Sequence, residues 1–322
     1  MNELSVVFGA VLPVCALMVV GYALRRLGWL TADADQSLLR VCVSVLLPAL
    51  IFESVLGNTA LHRRENLILP PLVAVATVLV GISLGWVAAR FTGLPSPEAR
   101  RTFALTTGLQ NYGYIPLPLC QMLFDPGTTG VLLVHNTGVE LALWTVGVRV
   151  LSGGRGKAGW GQIFSPPVVA LLAALFLNLL SPDWLPGGVL AGGRMAMTAV
   201  HWLGQCAIPL ALLMVGAIVA DHIGEFQGGQ LFRVVGLAIL VRQVALPLLI
   251  LLVARWLPGS VELKRVLVLQ AAMPAAMLTV ALSKHYGGHP PTALKVVLGT
   301  SLAGLVTIPL WIRAGGIICG LR

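Results

Sequence analysis

The chain has 322 residues, of which 57% are hydrophobic and 10% charged, and its mean hydropathy is +0.90. Soluble globular domains carry roughly 25% charged residues, so a water-soluble fold is excluded. About ten apolar stretches have the roughly 20 residues that cross a bilayer as a helix. What remains is too short for a catalytic or regulatory domain outside the membrane. The composition predicts one all-α polytopic membrane domain over residues 1–322.

The net charge of +9 does not indicate a nucleic-acid partner, because the basic residues lie in short clusters at the ends of the apolar stretches. There they face the lipid head groups of the bilayer. The opening Met-Asn-Glu-Leu-Ser lacks the basic segment of a signal peptide, so we expect the first apolar run to be a retained helix. The five cysteines lie in apolar runs without a CxxC pair, so no metal site, disulfide or cofactor is expected.

Ten spans follow from the apolar stretches in chain order, separated by loops rich in charge, Gly and Pro. They are predicted at 4–25, 36–57, 67–91, 98–125, 128–151, 166–181, 188–220, 231–256, 261–286 and 291–313.

Two parts of the chain resemble each other at a nearly constant offset. Ala-Arg-aromatic closes one span at 89–91 and another at 254–256, and Glu-x-basic-Arg opens the next span at 98–101 and 262–265. This divides the chain into repeat one, 1–157, and repeat two, 158–322. Because five helices is an odd number, the second repeat must be inverted relative to the first, which is typical of secondary transporters.

Basic loop residues indicate the orientation. With the N-terminus outside, the cytoplasmic loops of the first repeat hold Arg25, Arg26, Arg40, Arg90, Arg100, Arg101, Arg149, Arg155 and Lys157. The other side holds only Arg63 and Arg64. The second repeat favours the opposite orientation, as a duplicated segment that keeps its ancestral charges would. We give the first repeat precedence and expect a multi-pass protein of the cell membrane, the inner membrane in bacteria, with both termini outside the cytoplasm.

Span four contains an interruption near its middle. Pro116 and Pro118 cannot donate to the carbonyls of Tyr112 and Tyr114, and Gly113 adds backbone freedom. Freed backbone groups at this depth must line a cavity or be buried in protein. A half-helix starting near Pro118 would point its positive end at that cavity, which suits an anion.

Span nine contains a matching interruption. Pro274 lies 164 residues after Gln110 and frees the carbonyl of Gln270. Interrupted spans at matching places in two halves predict a binding site near the middle of the membrane.

The chain resembles the auxin efflux carrier family in these two interrupted motifs. It also does so in the Pro-Leu-Ala-Leu-Leu-Met-Val-Gly run at 209–216 and in the His-Asn and Leu-Trp-Thr-Val-Gly segments at 135–147. The resemblance covers nearly the whole chain. It implies ten transmembrane helices in two inverted five-helix repeats, with the broken helices 4 and 9 crossing. It also implies a scaffold of helices 1, 2, 6 and 7, a mobile transport domain of helices 3, 4, 5, 8, 9 and 10, and a homodimer through the scaffold.

Carried over by position, Asn111, Pro116 and Pro274 fall at the crossing. Members of the family often carry an amide side chain shortly after the second proline, where this chain has Ala275, Ala276 and Met277. The predicted substrate-binding residues are Gln110, Asn111, Tyr112, Gly113, Tyr114, Pro116, Pro118, Asn136, Pro274 and Ala275.

Two charged residues lie inside predicted spans, where ionisable side chains are costly and usually functional. Glu140 lies one helical turn after Asn136, and Arg242 lies near the middle of span eight. Three interpretations stay open: an ion pair between them, proton coupling through Glu140, and a countercharge for the substrate at Arg242. Together with Gln270 they are the candidate ion-coupling residues, and the coupling ion is a proton or sodium.

The leading hypothesis is a secondary active transporter that exports or exchanges a small organic anion by elevator-type alternating access. The substrate would be an auxin-like or a malate- or malonate-like carboxylate. Alternatives are a non-transporting receptor or sensor on the same scaffold and a sodium-coupled symporter of a larger organic anion. An intramembrane enzyme is not expected, because the sequence has no HExxH motif, no paired intramembrane aspartates and no evident Ser/His or Ser/Lys dyad.

Overall fold

The structure, a computed structural model, describes residues 3–154, 164–180, 187–222 and 231–321. These residues form helices and connecting loops, without a β-strand in the described ranges. The helices are α1 (Glu3–Arg26), α2 (Ala32–Val55), α3 (Glu65–Ala89), α4 (Pro97–Gly108), α5 (Pro116–Leu123), α6 (Pro126–Leu151), α7 (Pro166–Leu179), α8 (Gly187–His222), α9 (Leu231–Trp256), α10 (Val261–Ala272), α11 (Leu278–His285) and α12 (Pro290–Ile318).

Within the described ranges, seven helices are long and apolar enough to cross a membrane: α1, α2, α3, α6, α8, α9 and α12. The chain is therefore an all-helical, multi-pass membrane protein. The predicted number of ten crossings also requires α7, which is shorter, and the interrupted pairs α4–α5 and α10–α11. That number and the inversion of the repeats stay predictions. The predicted boundary between the repeats, at 157, lies outside the described residues.

Helix starts follow from local sequence. Ser96 caps α4 by accepting a hydrogen bond from the Ala99 N–H at 3.1 Å, and Ser260 caps α10 in the same way. Serine is a preferred N-cap because its hydroxyl satisfies an N–H that the helix cannot pair. The two serines are 164 residues apart, and α4 and α10 both have 12 residues. The offset seen in the sequence is thus also an offset between helices.

Several helix ends meet at one face of the molecule. Arg25, at the end of α1, contacts Asp35 in α2 and Asp221 at the end of α8. The His289 N–H, just before α12, donates to Thr102 Oγ1 in α4 at 2.8 Å. We call this side, which also holds Arg90 at the end of α3, the basic face.

The other ends meet at the opposite face. Asn178 in the last turn of α7 accepts from the Gly57 N–H, just after α2, at 3.0 Å. Ser260 Oγ, between α9 and α10, donates to Asn66 Oδ1 in α3 at 2.5 Å. Because α9 ends just before Ser260, its first residue, Leu231, lies toward the basic face.

The helices pack in two sets. In the first set, α8 packs against α1 and α2, and α7 packs against α2. In the second set, α3 packs against α4 and α6, and α12 packs against α4, α9 and α10. The contact between α3 and α4 is very close, because a Cβ built at Gly81 would overlap the backbone of Gly108. This explains the Gly-x-x-x-Gly spacing of Gly81 and Gly85.

Among the described residues, three helices contain a π-helical turn: α2 at Cys42–Leu46, α6 at Leu143–Gly147 and α9 at Leu240–Ala245. Such turns bend a helix and change which side chains share a face. The turns in α2 and α6 contribute Val43 and Trp144 to the cavity described below.

Candidate functional site

The two interrupted helices meet through their unwound segments. The Asn111 N–H donates to the Pro274 carbonyl at 2.7 Å, and the Ala276 N–H donates to the Leu109 carbonyl at 3.0 Å. Gln110 and Ala275 lie opposite each other between these bonds, in an antiparallel bridge. Each segment therefore provides hydrogen-bond partners for some of the backbone N–H and carbonyl groups of the other, as unwound backbone at membrane depth requires.

The prolines leave two carbonyls without their helical donors, as the sequence predicted. The Tyr112 carbonyl accepts a side-chain hydrogen bond from Asn136 Nδ2 at 2.7 Å, as expected of a carbonyl freed by Pro116. The Gln270 carbonyl, which Pro274 leaves without its helical donor, accepts instead from the Met273 N–H at 3.3 Å. Both carbonyls are therefore bonded within the protein.

The first residue of α5 lies two positions before the predicted start. The helix begins at Pro116 rather than near Pro118, and neither proline has an N–H to offer. The N–H groups of Leu117 and Leu119 donate to the carbonyls of Gly113 and Ile115. The first turn of α5 therefore presents few free donors to an anion.

Free donors lie instead in the unwound segments. The backbone N–H groups of Gly113, Tyr114, Met277 and Leu278 have no acceptor among the described residues. All four residues line one cavity. Unpaired N–H groups on two segments that line one cavity suit an anionic ligand.

That cavity has a volume of about 240 Å³ and lies beside the crossing. Its walls are mostly apolar and come from α2, α6, α7, α8 and both unwound segments. The polar or aromatic residues that line it are Asn111, Tyr112, Tyr114, Asn136, Thr137, Glu140, Trp144 and Ser165. No Lys or Arg lines it within the described part of the chain. A mostly apolar cavity with a few polar groups is the usual form of a small-molecule site.

The predicted site residues fall into three groups. Asn111, Tyr112, Gly113, Tyr114, Asn136 and Glu140 line the cavity. Gln110, Pro116, Pro118, Gln270, Pro274 and Ala275 are buried at the crossing and do not line the cavity. Arg242 lies in the π-helical turn of α9, which packs against α3, α4 and α12.

A buried amide network supports the first unwound segment. Gln270 Nε2 donates to Asn136 Oδ1 at 3.1 Å, and Asn136 Nδ2 in turn donates to the Tyr112 carbonyl. Gln270 Nε2 also lies 3.4 Å from that carbonyl. The network joins α6 and α10 to the backbone of Tyr112, so Gln270 is connected to the cavity lining through Asn136 and Tyr112.

Glu140 and Arg242 do not form the ion pair that was one of the three interpretations. Glu140 Oε2 accepts a hydrogen bond from Ser165 Oγ at 3.3 Å. Arg242 is 1% exposed, and its Nε and Nη2 have no partner among the described residues. Glu140 faces the cavity, whereas Arg242 lies in the packed interior of the second helix set.

Ser165 is a lining residue that the sequence analysis missed. It occupies the N-cap position of α7, but its hydroxyl forms no capping bond and instead contacts Glu140 on α6. Ser165-Pro166 is an ordinary helix-start pattern, and only the fold brings it to Glu140. Trp144 and Thr137 were missed for the same reason. Among the described residues, no group of three or more His, Cys, Asp or Glu could hold a metal ion.

Fold and site together define a multi-pass membrane protein with a small-molecule cavity where two broken helices meet. The family model described as "Membrane transport protein" matches residues 6–159 and 154–312. The chain therefore belongs to the membrane transport protein family, the family of the auxin efflux carriers, which confirms the resemblance found in the sequence.

Similar proteins extend over nearly the whole chain. An uncharacterized transporter of Methanothermobacter thermautotrophicus is 28% identical over 94% of this chain and 96% of its own length. An uncharacterized transporter of Methanocaldococcus jannaschii is 22% identical over the same shares. The uncharacterized transporter YfdV of Escherichia coli is 20% identical over 98% of this chain and 99% of its own length. The relatives and the family both indicate a membrane transporter.

Proposed function

We propose that this protein is a secondary active transporter that exports or exchanges a small organic anion. The observation that carries the proposal is the cavity of about 240 Å³, which the two unwound segments and both helix sets line together. A site between two packed bodies is reached from alternate sides of the membrane when the bodies move relative to each other.

The chemistry of the lining favours a carboxylate with an apolar or aromatic body. The free N–H groups at Gly113 and Leu278 and the amide of Asn111 can donate to carboxylate oxygens, as backbone donors do in oxyanion sites. Tyr112, Tyr114 and Trp144 offer aromatic surface to the remainder of the molecule. Both auxin-like aromatic acids and small dicarboxylates fit this description.

Glu140 makes a proton the favoured coupling ion. An anion that enters this cavity meets the Glu140 carboxylate, and no cationic side chain among the described lining residues offsets the repulsion. A proton on Glu140 removes that repulsion and leaves a hydroxyl that can donate. Substrate and proton would therefore bind together. Sodium held by backbone carbonyls and Asn111 is the alternative.

Elevator-type movement is the mechanism we propose for the two helix sets. The set of α1, α2, α7 and α8 would be the fixed scaffold, and the remaining helices would carry the crossing through the membrane. Ten crossings in two inverted repeats are supported by the equal lengths of α4 and α10 at an offset of 164 and by the family match in two segments. A homodimer through the scaffold and termini outside the cytoplasm complete the proposal.

The test is counterflow of labelled substrate and charge movement in proteoliposomes made with purified protein. The panel contains aromatic monocarboxylates and small dicarboxylates, each with and without a proton or a sodium gradient. Asn111→Ala should abolish flux of the transported acid. Glu140→Gln should leave exchange intact but remove the response to the proton gradient.

Gln36→Ala is the matched control, because Gln36 is an exposed amide on α2 away from the cavity. Flux should be unchanged in this variant. Substrate binding without counterflow for any acid on the panel would favour a receptor. Unaltered flux in Asn111→Ala would contradict the site. A response to sodium alone would contradict proton coupling.

A further inference from the structure

A second cavity lies at the basic face, away from the crossing. It has a volume of about 460 Å³ and is lined by Arg90, Phe91, Gly93, Arg233 and Leu237. Arg90 follows the last residue of α3, and Arg233 lies in the first turn of α9. The cavity is thus a cleft between the ends of two apolar helices, and none of its lining residues belongs to the transport site.

The two arginines of the cleft lack a counterion in the described part of the chain. Both are exposed, and neither takes part in an ion pair with a described residue. The described lining contains no Asp or Glu. Arg25, on the same face, is in contrast paired with Asp35 and Asp221. Two guanidinium groups that line one cleft without a carboxylate suit a phosphate, whose oxygens accept their paired N–H donors.

The surroundings of the cleft are those of the lipid interface. Phe91, next to Arg90 in the chain, is 64% exposed, and Phe232, next to Arg233, is 91% exposed. Toward the middle of the helices, Trp86 and Val87 on α3 and Leu240 on α9 are also exposed. Aromatic side chains favour the head-group level of a bilayer, and aliphatic ones favour its hydrocarbon. The cleft therefore has a charged end and an apolar continuation.

We propose that this cleft binds the head group of an anionic phospholipid. Arg90 and Arg233 donate to the phosphate oxygens, and Gly93 lines the cleft without a side chain that would occupy it. The acyl chains lie along the exposed apolar side chains of α3 and α9. A lipid is favoured over a soluble phosphate because the charged end and the apolar surface are continuous. Basic clefts between transmembrane helices are recurrent sites for such lipids.

The test is native mass spectrometry of the full-length protein in micelles that contain equal amounts of phosphatidylglycerol and phosphatidylcholine. The wild type should retain phosphatidylglycerol preferentially. The double variant Arg90→Gln/Arg233→Gln should bind it about thirtyfold more weakly, since each surface arginine contributes about fivefold. The double variant Arg90→Lys/Arg233→Lys keeps both charges and should retain most of the binding.

The matched control is Arg26→Gln/Arg40→Gln, which removes two exposed arginines of α1 and α2. Its binding should change much less than that of Arg90→Gln/Arg233→Gln, because Arg26 and Arg40 do not line the cleft. An equal loss in this control would show that overall charge, not the cleft, attracts the lipid and would overturn the proposal. Equal retention in Arg90→Gln/Arg233→Gln would also overturn it. Inorganic phosphate should displace no more lipid than chloride at the same ionic strength, and stronger displacement would assign the cleft to a soluble phosphate instead.

Discussion

At the scale of single residues, two glycines near the crossing have opposite surroundings. A Cβ built at Gly108 would overlap the backbone of Gly81 and Ile82, whereas one built at Gly113 meets no atom within 4 Å. Gly108→Ala should therefore lower the free energy of unfolding by about 1–3 kcal/mol, because α3 and α4 must separate. Gly113→Ala should stay within about 0.5 kcal/mol of wild type. Thermal unfolding in detergent measures both.

The same pair of variants separates packing from binding. Because Gly113 lines the cavity, the added methyl group of Gly113→Ala should exclude the largest substrates while the protein stays folded. Loss of stability in Gly113→Ala, or none in Gly108→Ala, would contradict the packing described for the crossing.

The buried amide of Gln270 is the second residue-scale feature with a measurable effect. Gln270→Ala removes the donor to Asn136 Oδ1, a group in a part-buried hydrogen bond. An unsatisfied polar group in such a place costs about 1–3 kcal/mol. We expect that loss in thermal unfolding, together with weaker substrate binding, since Asn136 also holds the Tyr112 carbonyl. Gln36→Ala should show neither effect, and a shared loss would point to a general effect of amide removal.

Much of the crossing could be predicted from single residues, because proline and glycine act locally. Pro116 and Pro274 mark the two breaks that the sequence predicted, although Pro70 and Pro71 lie inside α3 without interrupting it. Their pairing brings Asn111 beside Pro274, and no local rule gives this contact. The same limit applies to Ser165, whose contact with Glu140 depends on how α7 packs against α6.

At the scale of elements, the start of α6 depends on the charge of Asp125. Burial raises the pKa of this carboxyl, but the Thr128 N–H, the Arg265 guanidinium and the Thr128 hydroxyl together outweigh it and hold the pKa below its usual value. The charged form is therefore favoured in the folded state. Its contribution to stability is present above the usual pKa of about 4 and is lost as the pH falls through the lowered value.

Asp125→Asn should accordingly reduce the unfolding temperature at pH 7, by an amount equivalent to about 1 kcal/mol or less because the side chain is half exposed. The difference from wild type should shrink as the pH is lowered below about 4. Glu65→Gln, which removes an exposed carboxylate in the first turn of α3, is the control. A difference that is equal at both pH values would show that Asp125 acts through its size or hydrogen bonds rather than its charge.

The starts of helices could be predicted closely from the sequence, but the π-helical turns within helices could not. Ser96 and Ser260 mark the starts of α4 and α10 by an ordinary capping pattern. The π-helical turns at Cys42–Leu46 and Leu143–Gly147 have no local sequence pattern that predicts them. Their positions depend on the packing around each helix, which must accommodate the extra residue and the bend. Those turns bring Val43 and Trp144 to the cavity, so part of the lining escaped prediction with them.

At the scale of the whole molecule, the distribution of charge between the two faces predicts the orientation in the membrane. The basic face carries Arg25, Arg26, Arg90, Arg100 and Arg101 in the first half of the chain. Basic residues in short loops are retained on the cytoplasmic side during insertion. The second half carries the opposite bias, and we give the first half precedence, as in the sequence analysis. We therefore predict that the basic face is cytoplasmic.

Cysteine labelling tests this prediction in a background without the five native cysteines. Thr59→Cys, exposed at the opposite face, should react with a membrane-impermeant maleimide added to intact cells. Gly154→Cys, exposed just after α6, should react only after the membrane is permeabilised. The reverse pattern would place the basic face outside, and the phospholipid cleft of Arg90 and Arg233 would then face the outer leaflet. Reaction of both sites in intact cells would indicate that the population inserts in two orientations, as a protein whose two halves carry opposing charge patterns can do.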